Sequence, residues 1–193
     1  MICLGISMPR VIIEGSQKNG VEPPKHERAR SLAVMGDRID LPRDERQFRS
    51  ASGGFVLTVK AVDGWRTPFS AATLTNATGS VLWKRNLPHH HGPRNVLVTN
   101  GGQVLLADEW INVLSRHALT LIGPDGATIA AYPAEQIIGI LGVPRASITD
   151  HARFGPWMSE IPKLSADAKS VIFGAGGRTL VLRLQDGRLS ARD

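Results

Sequence analysis

The chain writes one short module more than once, and that repetition limits what it can fold into. "GGFVLTVKAVDGW" runs from Gly53 to Trp65, and "GGQVLLADEW" from Gly101 to Trp110. Each reads as a glycine pair, an apolar run, an aspartate and a tryptophan. Gly53 and Gly101 are 48 residues apart, and Gly79 and Gly126 are 47 apart. A third copy, with "SVIFGAG", "TLVLRLQ" and Asp186-Gly187, follows at a longer step: Gly126 to Gly187 is 61 residues. A period in the forties implies supersecondary units, each burying its apolar side against the next.

Within each copy the punctuation predicts strands. From Gln47 onward, short apolar runs alternate with Asn-Gly, Asp-Gly and Thr-Gly. "NVLVT" and "QVLLADEW" flank Asn100-Gly101-Gly102, and "HALTLIG" and "ATIAAY" flank Pro124-Asp125-Gly126. Two β-runs joined by such a turn form a hairpin, because Gly, Asn and Asp reach positive φ at the least steric cost. With leading strands near 47–51, 95–99 and 158–164, each unit has four short up-and-down strands. The units are placed at about 47–87, 95–132 and 157–193. The extra length of the third step falls in "YPAEQIIGILGVPRASITDHARFG". Pro133 suits a first helical turn, Gln136, Ile137 and Leu141 have helical spacing, and Gly142 and Pro144 end it. A helical insertion is expected over 133–153.

Residues 1–46 differ. "EGSQKNGVEPPKHERARS" shows neither strand nor helix periodicity. It reads as a polar arm, with a strand near 11–13 or 31–35 as the alternative. The expected fold class is therefore all-β: about three four-stranded antiparallel meanders with a short helical insertion. Aromatics are only 5% of the chain, so its core must be built from Val, Leu, Ile and Ala.

Four strands per repeat of this length resemble the blades of β-propellers, in particular WD-like and quinoprotein-like repeats. The resemblance covers residues 47–193 and rests on the "DG" hairpins and the repeated Trp65 and Trp110. The Trp-Asp dipeptide of WD repeats is absent, since Arg66 and Ile111 follow the tryptophans. The "DEW…DG" layout is similar to an uncharacterised bacterial branch of that group, which implies no activity. Propellers close with four to eight blades, so three would leave two sheet faces to be covered by the arm or by a second copy. On this resemblance Gly53, Trp65, Gly79, Gly101, Trp110, Gly126 and Gly187 are the structural residues of the repeat.

The formal charge of +6 is spread along the chain without a basic block. Nucleic-acid binding, which needs clustered positive charge, is not favoured. A single cysteine, Cys3, allows no intrachain disulfide. The apolar start lacks a basic n-region and Pro9-Arg10 interrupts it, so it does not read as a signal peptide. No run approaches the ~18 apolar residues of a membrane span. The chain reads as soluble and cytoplasmic by default.

Two polar stretches could carry chemistry. In "ADEWINVLSRHA", Asp108, Glu109, Asn112, Arg116 and His117 share one expected loop and are the candidate ligand or partner residues. Asp108 and Ser115 capping the turn, with Trp110 between sheets, is the structural reading, and the recurrence of Asp-x-Trp favours it. "LPHHHGPR" offers His89 and His91 as ligands for a divalent metal, although neighbouring side chains in an extended loop diverge. Ser115, His117 and Asp108 could be written as a triad, but no "GxSxG" elbow supports it. "GAGGRT" at 174–179 lies between two strands and reads as a hairpin, and Trp157 with Met158 reads as core packing. The function expected is a non-enzymatic binding or protein-interaction module, with self-association through open sheet faces or a protein partner. The alternative is a metal-dependent hydrolase-like propeller.

Overall fold

The computed structural model describes residues 40–111, 114–154 and 157–193. The polar arm falls largely outside the described residues, as do both strands considered within it. The remainder is mostly β, with twelve strands in three four-stranded antiparallel sheets and two short helices. Sheet 1 holds β1 (Glu45–Arg49), β2 (Phe55–Ala61), β3 (Ser70–Asn76) and β4 (Val81–Leu87). Sheet 2 holds β5 (Pro93–Val98), β6 (Val104–Glu109), β7 (Leu119–Ile122) and β8 (Thr128–Tyr132). Sheet 3 holds β9 (Met158–Leu164), β10 (Ser170–Ala175), β11 (Arg178–Arg183) and β12 (Leu189–Arg192). Each sheet keeps its strands in chain order, as consecutive hairpins require. The helices α1 (Ala134–Leu141) and α2 (Arg145–Phe154) separate the second and third sheets. Glycine-rich 174–179 forms the β10–β11 hairpin.

The repeat is visible in backbone hydrogen bonds. In the first hairpin of each sheet a hydroxyl residue opens the turn: Ser50, Thr99 and Ser165. Its carbonyl accepts from the N–H three residues on, at 2.9 Å from Gly53, 3.1 Å from Gly102 and 2.9 Å from Ala168. All three donors are left-handed, with φ of 72°, 78° and 54°. The residue matching Gly53 is therefore Gly102, one beyond the Gly101 read from sequence. The hydroxyls then accept a second N–H, from Phe55, Gln103 and Ser170. A side chain that hydrogen-bonds its own turn favours that turn over extended chain.

These equivalent turns put the sheet faces in correspondence. The face carrying the closing pairs Ser50/Phe55, Thr99/Gln103 and Ser165/Ser170 is the front. Side chains alternate along a strand, so each residue is assigned by parity and register. The front of sheet 1 (Leu57, Leu74, Trp83) meets the back of sheet 2 (Val104, Leu106, Ile122) in one core. The front of sheet 2 (Leu105, Leu119, Leu121) shares a second core with the back of sheet 3 (Val171, Phe173, Leu182). Ile137, Leu141 and Ile148 of the helices join that second core. Stacking is front to back both times. Sheet 2 is buried on both sides, which explains why "VLLA" of β6 is apolar without a break. A leucine buried this fully contributes about 2 kcal/mol of transfer free energy.

The contact between neighbouring units also repeats. A Cβ on Gly126 would lie 2.9 Å from Trp83 of β4, and one on Gly187 would lie 2.3 Å from the Ala130 Cβ of β8. The Arg85 guanidinium donates to the Gly126 carbonyl at 2.8 Å, and the Tyr132 hydroxyl donates to the Gly187 carbonyl at 2.7 Å. Trp83 and Arg85 in one unit thus do what Ala130 and Tyr132 do in the next.

Both outer faces are mostly polar. The back of sheet 1 presents Gln47, Arg49, Thr58, Lys60, Thr73 and Lys84. The front of sheet 3 presents Ser170, Arg183, Ser190 and Arg192 around Ile172 and a buried Val181. Among the described residues neither outer face is a continuous apolar surface of the kind expected of three stacked units. Where the inner contacts hold Leu106 and Ile122, the back of sheet 1 holds Thr58 and Thr75, whereas in place of Leu105 and Leu121 the front of sheet 3 keeps Ile172 and Val181. No helix among the described residues is long and apolar enough to cross a membrane.

Candidate functional site

The connections β2–β3, β4–β5 and β6–β7 lie together at one end of the sheets, and they carry most of the polar residues singled out from sequence. Asp108 is the most constrained. It ends the regular part of β6 in a left-handed conformation, φ 57°, which Asp tolerates better than most residues. Its side chain is 0% exposed. One carboxylate oxygen accepts the Leu114 N–H at 2.9 Å, which ties down the β6–β7 loop. The other, Oδ2, has no hydrogen-bond partner among the described residues, and neither has the buried Trp157 indole N–H near it. Burial pushes the Asp108 carboxyl up to about 7, against smaller opposing effects of the Leu114 N–H, Trp157 and Arg94.

His89 is also 0% exposed, and neither ring nitrogen has a hydrogen-bond partner among the described residues. Its ring lies 5.6 Å from that of His117. Burial pulls His89 down to about 4, and His117 and Arg46 nearby add to the shift. His90 and His91 turn elsewhere: their rings stack at 4.0 Å, and His90 Nε2 lies 2.6 Å from the Trp65 carbonyl. The loop is a tight turn closed by the Gly92 N–H on the His89 carbonyl, rather than an extended strap. So His89 and His91, proposed together as metal ligands, point into different surroundings. Among the described residues no three His, Cys, Asp or Glu side chains are grouped as a metal site.

Glu109 accepts the Ser115 hydroxyl at 2.9 Å, and Ser115 Oγ accepts the His117 backbone N–H. Ser115 is thereby held within its own loop, and Asp108 is engaged with Leu114. No Ser115–His117 side-chain hydrogen bond forms among the described residues. Arg116 is exposed on the same loop. Asn112 lies outside the described residues.

The two repeat tryptophans do related work. The Trp65 indole donates to the Pro42 carbonyl at 3.2 Å, and the Trp110 indole donates to the Asp40 carbonyl at 2.7 Å. Residues two apart on an extended chain face one way, so both indoles grip the segment that enters β1. Trp110 does not pack between sheets. Its ring lies 4.9 Å under the Arg46 guanidinium, which donates to the Pro93 carbonyl. Trp157 and Met158 belong to the second core, Trp157 edge-on to Phe173 at 6.2 Å. Sequence reasoning missed Arg46 and Arg94, because lone arginines in polar stretches carry no spacing signal. It also missed the turn hydroxyls, which aligning "SASGG", "TNGG" and "SADA" would have exposed.

Comparison with protein-family models, with curated proteins and with solved structures finds no match.

Proposed function

We propose that this chain is a non-enzymatic binding module made of three propeller-like blades, presenting the loops at the Asp108 end to a protein partner. What carries the reading is that the polar groups there serve the loops. Asp108 holds Leu114, Glu109 holds Ser115, and His90 meets the Trp65 carbonyl. Such loops form a firm platform, with Arg116 and the His90–His91 pair on its accessible side. Front-to-back stacking, with β1 beside β5 and β5 beside β9, supports the propeller-like description and its WD-like or quinoprotein-like kinship.

The competing reading is a metal-dependent hydrolase, suggested by the His89 and His117 rings lying 5.6 Å apart, with Asp108 at the start of the loop that carries His117. Metal analysis of the purified chain, with thermal unfolding in and out of EDTA, separates the two. The binding module is expected to carry no stoichiometric metal and to keep its midpoint. A bound metal whose removal lowers the midpoint would replace it with the hydrolase. A photo-cross-linker at Arg116 should trap a defined partner in cells, while one at Thr58, on the outer face of sheet 1, should not. Equal trapping at both positions would remove the loop end as the binding surface.

A further inference from the structure

The three inner strands β1, β5 and β9 enclose a cleft of about 170 Å³ that the loop-end reading does not use. Its walls are apolar, with Phe48 from β1, Leu97, Leu105 and Ala107 from sheet 2, and Ile161 from β9. Two polar side chains break that lining, Arg94 and Asn95. Among the described residues Arg94 joins no ion pair. The Asn95 Nδ2 is buried with no hydrogen-bond partner among the described residues. An amide donor left in this state costs about 1–3 kcal/mol unless something accepts from it.

A third feature comes from β9. Opposite Ile172–Gly174 this strand carries one extra residue, a bulge that spans Ile161 and Pro162. Bulges re-aim side chains and cluster beside binding sites. A second register shift follows between Gly174 and Ala175, where a Cβ on Gly174 would lie 2.5 Å from the Ser159 Oγ. The result is an isoleucine left 60% exposed at the mouth of the cleft, on a strand whose neighbouring positions are Ser, Glu and Lys.

The geometry points to a binding site for a small apolar carboxylate: its carboxylate on Arg94, its hydrocarbon part against Phe48, Leu97 and Leu105. The size fits, since an apolar cavity of about 150 Å³ accepts a benzene ring. The charge fits too, because the fork of a guanidinium offers paired N–H donors that match a carboxylate's two oxygens. This site stands independently of the proposed protein-binding role.

Benzoate is the probe, titrated into the intact chain by calorimetry and by thermal unfolding. Saturable one-to-one binding with a raised midpoint is expected. Benzyl alcohol (the ring without the charge) and acetate (the charge without the ring) should each bind at least about tenfold more weakly. Arg94→Gln should weaken benzoate by about tenfold or more. Ile161→Trp, a change at an exposed position, should block the mouth and abolish binding without altering the fold. Failure of benzoate to bind saturably would overturn the site. Benzoate binding that survives both substitutions would place it elsewhere on the molecule. Benzyl alcohol matching benzoate would remove the carboxylate from the assignment.

Discussion

At the scale of single residues, Asp108 and His89 are buried polar groups whose ordinary charges the fold opposes. The signs differ. Asp108, raised from 3.8 to about 7, stabilises the fold fully below pH 4 and loses that contribution as pH rises through about 7. His89, lowered from 6.5 to about 4, stabilises above pH 6.5 and loses that contribution as pH falls through about 4. Asp108→Asn keeps an oxygen for the Leu114 N–H and removes only the charge. The thermal midpoint of Asp108→Asn relative to the parent chain should therefore climb between pH 4 and 7 and level off above, His89 being common to both. A difference that is flat with pH would mean that Asp108 does not titrate in this range.

At the scale of elements, the turn glycines divide into two kinds that look alike in sequence. Gly187 has φ 71° and sits where a Cβ would strike Ala130 of the neighbouring sheet. Gly177 has φ 77°, with nothing within 4 Å of a Cβ. Gly177→Ala should cost only the left-handed penalty, about 1–2 kcal/mol. Gly187→Ala adds overpacking between sheets, for a total of about 2–5 kcal/mol. Urea unfolding of the two variants checks this. Equal losses would mean that the close contact between units contributes little. The doubly buried β6 belongs to the same scale. Leu105 and Leu106 are adjacent in sequence yet serve different cores, so a one-residue slip of this strand would exchange both cores at once.

At the scale of the whole molecule, three units stack front to back and both ends are mostly polar. Repeat arrays stay soluble when their terminal units carry a polar outer face. The Lys60–Glu45 pair on sheet 1 and the Arg183–Asp186 pair on sheet 3 suit solvent rather than another sheet. Face-to-face pairing with a second copy would bury these charges against only a small apolar centre, Ile172 and Val181 on sheet 3. Light scattering of the purified chain should give the mass of one copy at micromolar concentration. A dimer disrupted by Thr73→Lys or Ser190→Lys would show instead that the outer faces associate.

The sequence by itself determined the units. Period-two alternation, Gly-centred turns and the Gly79, Gly126 and Gly187 spacing are local consequences of strand pleat and turn sterics, so three meanders and the helices after Pro133 were readable without coordinates. It did not determine what the outer faces would meet, because a strand's pattern shows that a face is polar only once register assigns each residue a side. The site divided the same way. Asp108, Glu109 and His117 share one loop and were found from their spacing, whereas Arg46, Arg94, Asn95 and Trp157 come from three other stretches of chain. Only the stacking of the sheets brings those groups together, and burial, which sets their charge states and leaves their hydrogen bonds unmade, is a property of that packing alone.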